Sequence, residues 1–231
     1  MAAVSAPATS DTMAVLRARD LYRFYRAGDE ETLALRGVSL TVAEGQVLVV
    51  SGPSGSGKST LLACLAGLDE PDGGSVRVRD TRLSHRSEAE RAALRARHVG
   101  ILFQSANLLE HLTVWRNIEL AQRLGRHRDA GRARALLDAV GLGRRGGARP
   151  SELSGGEAVR AAVAVALANN PDVLIADEPT GELDGGTEAA VLRLIRDQAA
   201  GGTAVVIASH SPAVTALADQ VLQLKDGRLQ P

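Results

Sequence analysis

The sequence predicts an α/β fold: a mostly parallel sheet covered by helices on both faces, with a smaller helical lobe inserted. Three observations carry that expectation. The apolar runs "VLVVS", "VLIAD" and "AVVIA" have strand length and no polar face, as strands buried on both sides require. Strand-like and helix-like segments alternate, giving the long crossovers that parallel strands need. The 231 residues suffice for one substantial domain with a full core.

The N-terminal "MAAVSAPATSDTM", residues 1–13, has neither a basic start nor an apolar stretch. It therefore reads as a disordered tail rather than a secretory signal, and the folded domain is expected over 14–231. "VSLTV" alternates as a strand does, and "AEGQ" is a turn into the apolar strand "VLVVS". A glycine-rich loop follows, then "STLLACLAGL" at helical spacing. "PDGGSVRVRD" gives a turn and a strand, and "SEAERAALRARH" a charged helix with a solvated face. After the short strand "VGILFQ" the chain is mostly helical, punctuated by "GLGRRGGARP", which makes 104–160 the helical lobe. "SELSGGEAVRAAVAVALANN" is a helix leading to the buried strand "PDVLIADEP". The helix "EAAVLRLIRDQAA" then feeds the strand "GGTAVVIASH", and "QVLQLKDGRL" closes as a hairpin.

Composition removes several classes of function. A formal net charge of zero gives no overall pull toward nucleic acid or anionic lipid, and 2% aromatics leave little for bases to stack on. No nucleic-acid partner is expected. Cys64 is the only cysteine, so an intrachain disulfide is impossible and a zinc cage implausible; among Leu61, Leu62, Leu65 and Leu68 it reads as a small core hydrophobe. The longest apolar runs, "LLACLAGL" and "AAVAVALA", fall short of a membrane span, so a soluble chain from a reducing compartment is expected.

Of the 27 basic residues only Lys58 and Lys225 are lysine, and all the others are arginine. Lys58 stands in "SGPSGSGKST", where Gly52, Gly57, Lys58 and Ser59 give G-x-x-x-x-G-K-S between a strand and a helix. The glycines let successive backbone N–H groups converge on phosphate oxygens, and the helix start adds a favourable dipole. Ser54, Gly55, Ser56, Gly57, Lys58, Ser59 and Thr60 are the candidate phosphate contacts. Lys58 would reach the β- and γ-phosphates and the Ser59 hydroxyl would bind Mg²⁺. A compact ammonium fits between two phosphates inside such a loop, whereas a wide planar guanidinium does not. That accounts for lysine in an arginine-rich chain.

"VLIADE" puts Asp177 and Glu178 at the end of an apolar strand, where ligands gather in open α/β sheets. Asp177 suits a second Mg²⁺ position, and Glu178 is placed to orient and deprotonate water. The Asp-x-x-Gly and Asn-Lys-x-Asp patterns of guanine-nucleotide switches are missing. "LSGGE" (Leu153 to Glu157) is a second anion-binding helix start, with Ser154, Gly155 and Gly156 free to donate. Two such starts far apart in sequence mean either that one chain folds both onto one nucleotide or that two chains share two nucleotides.

From about Val15 to Leu229 the sequence resembles the ATPase subunit of ABC transporters. The resemblance implies a P-loop NTPase with a RecA-like, mostly parallel core, an antiparallel β subdomain and a helical subdomain. It implies a head-to-tail homodimer sandwiching two ATP molecules with Mg²⁺, in which Ser154, Gly155 and Gly156 meet the γ-phosphate held by the opposite protomer. Tyr25 in "FYRAGDE" looks like the aromatic that stacks on adenine, with Phe24 as the alternative. Gln104 in "ILFQ" resembles the glutamine that touches Mg²⁺ and relays nucleotide state to the helical lobe. Asp184 in "GELD" resembles the loop that crosses the dimer interface. His210 resembles the switch histidine on the γ-phosphate, which makes Glu178, His210 and Lys58 the catalytic candidates.

"YRAGDEETLALRGVSL", "RARHVGILFQSANLLEHLTVWRNIEL" and "LIADEPTGELD" are most similar to the lipoprotein-releasing and macrolide-exporter subfamily. Such an ATPase would lie on the cytoplasmic face of the cell membrane, bound to a permease on a separate chain. Other ABC-type ATPases serve DNA repair or translation, or sense nucleotide without transport; the former usually add coiled coils, zinc modules or tandem cassettes, which this sequence lacks. Three positions depart from the family's usual residues: Glu157 replaces Gln, Val165 a second arginine, and Ser211 the frequent Asp.

Overall fold

The structure, a computed structural model, describes residues 14–27, 30–103, 108–181 and 183–230. A long hairpin, β1 (Ala14–Ala27) and β2 (Glu30–Ala43), leads through a short turn into β3 (Val47–Ser51). The glycine-rich loop and α1 (Lys58–Leu65) come next, then β4 (Gly73–Val78), β5 (Thr81–Arg82), α2 (Glu88–His98) and β6 (Val99–Leu102). The chain is then helical, with α3 (Val114–Leu124), α4 (Ala130–Ala139), a 3-10 turn (Pro150–Glu152) and α5 (Gly155–Ala166). After it come β7 (Val173–Asp177), α6 (Gly185–Ala200), β8 (Ala204–Ala208), α7 (Pro212–Leu217), β9 (Gln220–Lys225) and β10 (Arg228–Leu229). The expected N-terminal tail, residues 1–13, lies outside the described residues.

The strands sort into two sheets. The expected parallel sheet runs β10-β9-β3-β8-β7-β6, with β10 folded back antiparallel at one edge. β1, β2, β4 and β5 form a separate antiparallel sheet in the order β2-β1-β4-β5, as the family resemblance implies. "VSLTV" and "SVRV" therefore belong to this second sheet. Residue patterning alone does not reveal β1, and register slips explain why. Leu16, Ala18 and Leu21 are all buried, but the strand bulges between Ala18 and Leu21, which breaks the alternation that marks a strand.

Alternation survives in the parallel sheet, where it splits the core in two. Val47, Val49, Leu174, Ala176, Val205 and Ile207 face one way, toward α3 to α7. Their neighbours Leu48, Val50, Val173, Ile175, Val206 and Ala208 face α1 and the antiparallel sheet. Full burial of each valine, leucine or isoleucine among them is worth about 1.5–3 kcal/mol, so the sheet is held by both layers at once. Cys64 sits in the second layer as a core hydrophobe, and burial pushes its thiol up to about 12. α2, by contrast, buries no residue; Ser87 closes a capping box at its start, and Glu88 pairs with Arg91 and Arg95.

One ion cluster links the two sheets. Arg79, just past β4, pairs with Asp172, just before β7, and the same carboxylate accepts His98 Nδ1 at 2.7 Å. Burial alone would raise the Asp172 carboxyl, but the bonds from Arg79 and His98 outweigh it and hold it below the usual carboxylate range. A depressed carboxyl contributes stability above its unfolded value of about 3.9 and loses it as pH falls through the folded one. Asp172→Asn should therefore lower the melting temperature by about 2–4 °C at pH 7, with the difference shrinking as pH falls below the unfolded value of about 3.9, as measured by thermal unfolding across pH.

Candidate active site

Three neighbouring strands deliver the candidate catalytic residues to one edge. The register sets Val50 level with Ala208, and Ala208 level with Asp177. Two bonds extend this ladder past the strand ends: Ser209 N–H donates to Val50 O at 3.2 Å and Glu178 N–H to Ala208 O at 2.9 Å. Adjacent strands are about 4.8 Å apart, so the phosphate loop, the Ser209–His210 segment and Asp177–Glu178 share a front about 10 Å wide. This is the carboxyl edge at which open α/β sheets take ligands.

The phosphate loop is shaped by its surroundings. Gly52 has φ +152° and a Cβ there would lie 2.0 Å from Leu224 O; Gly57 has φ +102° and its Cβ would lie 2.5 Å from Ala34 O. Any other residue would clash with β9 at the first position and with β2 at the second. Ser56 is buried, its carbonyl accepts Gly227 N–H at 3.0 Å, and its hydroxyl has no partner among the described residues. A buried, unpaired hydroxyl inside a cradle of backbone N–H groups suits a phosphate-bearing ligand. Lys58 Nζ folds over the loop, donating to Gly52 O at 2.7 Å and Pro53 O at 3.0 Å. With three donors on the ammonium, it can hold the loop and still face an anion.

Glu178 has φ +45°, an uncommon and strained conformation for this residue type. Its carboxylate is held on both oxygens: Ser209 Oγ donates to Oε2 at 2.9 Å, and His210 Nδ1 lies 2.7 Å from Oε1. An ionised carboxylate only accepts, so Nδ1 carries the hydrogen in that pair. The His210 side chain is 82% exposed and that of Glu178 only 16%, so the histidine meets an arriving ligand while the acid stays sheltered behind it. Nothing in the sequence singles out Ser209 beyond its place at a strand's carboxyl end.

Tyr25 is mounted beside α1, in reach of Thr60 on its first turn and of Asp69 beyond its end. Its hydroxyl donates to Asp69 Oδ2 at 2.7 Å, and Arg23, forked onto Asp69 at 2.8 Å through both Nε and Nη2, lies 4.7 Å from the ring centroid. Burial raises the Tyr25 hydroxyl and Asp69 adds to it, with Thr60 acting the other way. Phe24 is as exposed as Tyr25 but, as its chain neighbour on a strand, points to the opposite face.

A second cluster forms elsewhere. Ser154 caps α5 through a capping box, its Oγ accepting Glu157 N–H at 3.2 Å while Glu157 Oε2 accepts Ser154 N–H at 2.9 Å. Asp184 caps α6, accepting Gly186 and Thr187 N–H, both at 3.0 Å. A Cβ on Gly156 would come within 2.9 Å of Thr187 Cγ2, so the two helix starts stand side by side. Ser154, Gly155 and Asp184 are exposed. Among the described residues, no hydrogen bond or ion pair joins Ser154, Gly155 or Gly156 to the phosphate loop. Glu157 is held below the usual carboxylate range by the Ser154 N–H and by Arg145, 3.3 Å away. Its extra charge, relative to Gln, is thus absorbed within the protomer. Gln104 lies outside the described residues.

The chemistry of Mg²⁺ fits the donors present. The Ser59 hydroxyl and Asp177 carboxylate are hard oxygen ligands at the carboxyl edge, and Mg²⁺ commonly takes one or two protein ligands plus waters and substrate phosphates.

Comparison with known proteins agrees with this geometry. Residues 35–181 match the family model described as "ABC transporter". An ABC transporter ATP-binding protein of Methanocaldococcus jannaschii, described as uncharacterised, is 39% identical over 219 residues, covering 93% of this chain and 97% of its own. The macrolide export ATP-binding/permease protein MacB 1 of Yersinia pestis bv. Antiqua is also 39% identical over 219 residues, covering 94% of this chain but only 34% of its own; this chain spans about a third of it. Among solved structures, the dimeric ABC transporter cassette MJ0796, described as bacterial, superposes with a TM-score of 0.87 at 33% identity over 94% of this chain and 97% of that one. A second structure of that cassette, with the same score, is a post-hydrolysis dimer bound to ADP and Pi. On this fold and with these relatives, the chain belongs to the ABC transporter family, as an ATP-hydrolysing cassette.

Proposed function

We propose that two copies of this chain close head to tail around two ATP molecules, and that closing and reopening drive a membrane permease carried on a separate chain. The observation that carries this reading is that, among the described residues, no hydrogen bond or ion pair joins the start of α5 to the Lys58 loop within one protomer. The Lys58 loop with Glu178 and His210 forms one cluster, and the exposed start of α5 forms the other. A second copy turned to face the first lets each cluster complete the other. ATP that touches both protomers only when they are closed favours the closed state by that difference in contact.

In this reading the Gly52–Gly57 backbone and Lys58 hold the β- and γ-phosphates, Tyr25 stacks on adenine, and Ser154, Gly155 and Gly156 donate to the partner's γ-phosphate. Ser59 and Asp177 would hold Mg²⁺, which neutralises charge on the phosphates when bound; Gln104 is proposed as a further ligand on the family resemblance alone. His210 swings from Glu178 Oε1 to the γ-phosphate. Oε1 is then free to take a proton from water as its oxygen bonds to phosphorus and the bond to the β–γ bridging oxygen breaks, leaving ADP and phosphate.

The separate permease is supported by the M. jannaschii relative, which this chain covers nearly end to end. The kinship with MacB supports a partner of the macrolide-exporter or lipoprotein-releasing kind, with this cassette on the cytoplasmic face. No helix among the described residues is long and apolar enough to cross a membrane.

Glu178→Gln should bind ATP, hydrolyse it about 10²–10⁴-fold more slowly, and sediment as a dimer with ATP and Mg²⁺. Normal phosphate release, or monomers only even beside the permease, would overturn the assignment. Lys58→Arg should weaken ATP binding by about tenfold or more in fluorescence titration, because the fork cannot sit inside the loop. Affinity purification from mildly solubilised membranes should recover a permease with the cassette.

A further inference from the structure

Ser211, the residue after His210, is bonded both to α6 and to Ser209. Its Oγ accepts Ala213 N–H at 3.2 Å, capping α7, and donates to Glu188 Oε1 at 2.9 Å. The same Glu188 oxygen accepts Thr180 Oγ1 at 3.0 Å. Thr180 is buried and lies two residues beyond Glu178. On the other side, Ser211 N–H donates at 3.1 Å to Ser209 Oγ, the hydroxyl that holds Glu178 Oε2. Glu188 itself sits on the first turn of α6, its N–H donating to Asp184 O at 2.8 Å.

We propose that Glu188 is a positioning residue for ATP hydrolysis: one carboxylate oxygen ties the His210 loop to the Glu178 loop and fastens both to the start of α6. The inference rests on the roles proposed for Glu178 and His210. Glu178 holds a strained backbone, and such conformations persist only when their surroundings over-determine them. Glu188 supplies that determination on both sides at once. Without it, the part-buried hydroxyls of Thr180 and Ser211 lose their shared acceptor and the pairing of His210 with Glu178 loosens. The tie also reaches Asp184, so the start of α6 cannot shift without moving both loops.

The test is steady-state ATP hydrolysis by the full chain and four variants. Glu188→Ala should lower kcat by about tenfold while KM for ATP stays within about twofold of the unaltered chain. Glu188→Gln keeps an acceptor oxygen and should stay within about twofold in both constants. Ser211→Asp alone sets two carboxylates against each other and should lower kcat as well. Glu188→Ala combined with Ser211→Asp should recover kcat to within about threefold of the unaltered chain, because the charge has moved from α6 to the loop. A normal kcat for Glu188→Ala, or a double variant no faster than Glu188→Ala, would overturn the inference alone. Absence of hydrolysis by the unaltered chain would bring down the functional reading and the inference with it.

Discussion

Two backbone hydrogen bonds, Ser209 N–H to Val50 O and Glu178 N–H to Ala208 O, carry the parallel ladder one step past its regular end. They fix three loops from three strands on one line, so that no side chain has to find its partner across a floppy gap. The strands can do this because they are buried on both faces: Val47 and Val49 are fixed by one layer, Leu48 and Val50 by the other. Sliding one strand by a residue would turn every one of these side chains to the wrong layer. The core thus enforces the register, and the register aligns the chemistry. The strain in Glu178 is carried by this framework together with the Glu188 contacts to the neighbouring loops.

Much of this was legible in the sequence, for physical reasons that differ by element. The parallel strands announced themselves because double burial leaves them no polar position. The phosphate loop did so because its backbone conformations admit few residues, and because one of only two lysines stood there among arginines. β1 stayed hidden since its bulges break the alternation. The strands of the second sheet were recognisable, but patterning could not say which sheet they would join; the resemblance to the family supplied that. At the site, Asp177 and Glu178 were visible as acids ending an apolar strand, and His210 only through the resemblance to the family. Their supporting residues were not. Glu188 and Ser211 lie 23 residues apart, and only the tertiary fold brings the helix and the loop together.

The three departures from the family's usual residues each find a local explanation. Glu157 directs its carboxylate to Ser154 N–H and to Arg145, within the helix start it belongs to. Val165, standing where a second arginine is common, lies partly buried against the core on the α3–α7 side of the sheet, so an apolar side chain suits it. Ser211 leans on Glu188.

The burial of the single thiol has a practical corollary. Cys64 is sealed between α1 and the sheet, with so little thiolate at neutral pH that maleimides and other alkylating reagents will pass it by. A cysteine introduced on the exposed face of α2 or of the helical lobe can therefore carry a dye or spin label on an otherwise native background, with the original sulfur left in place.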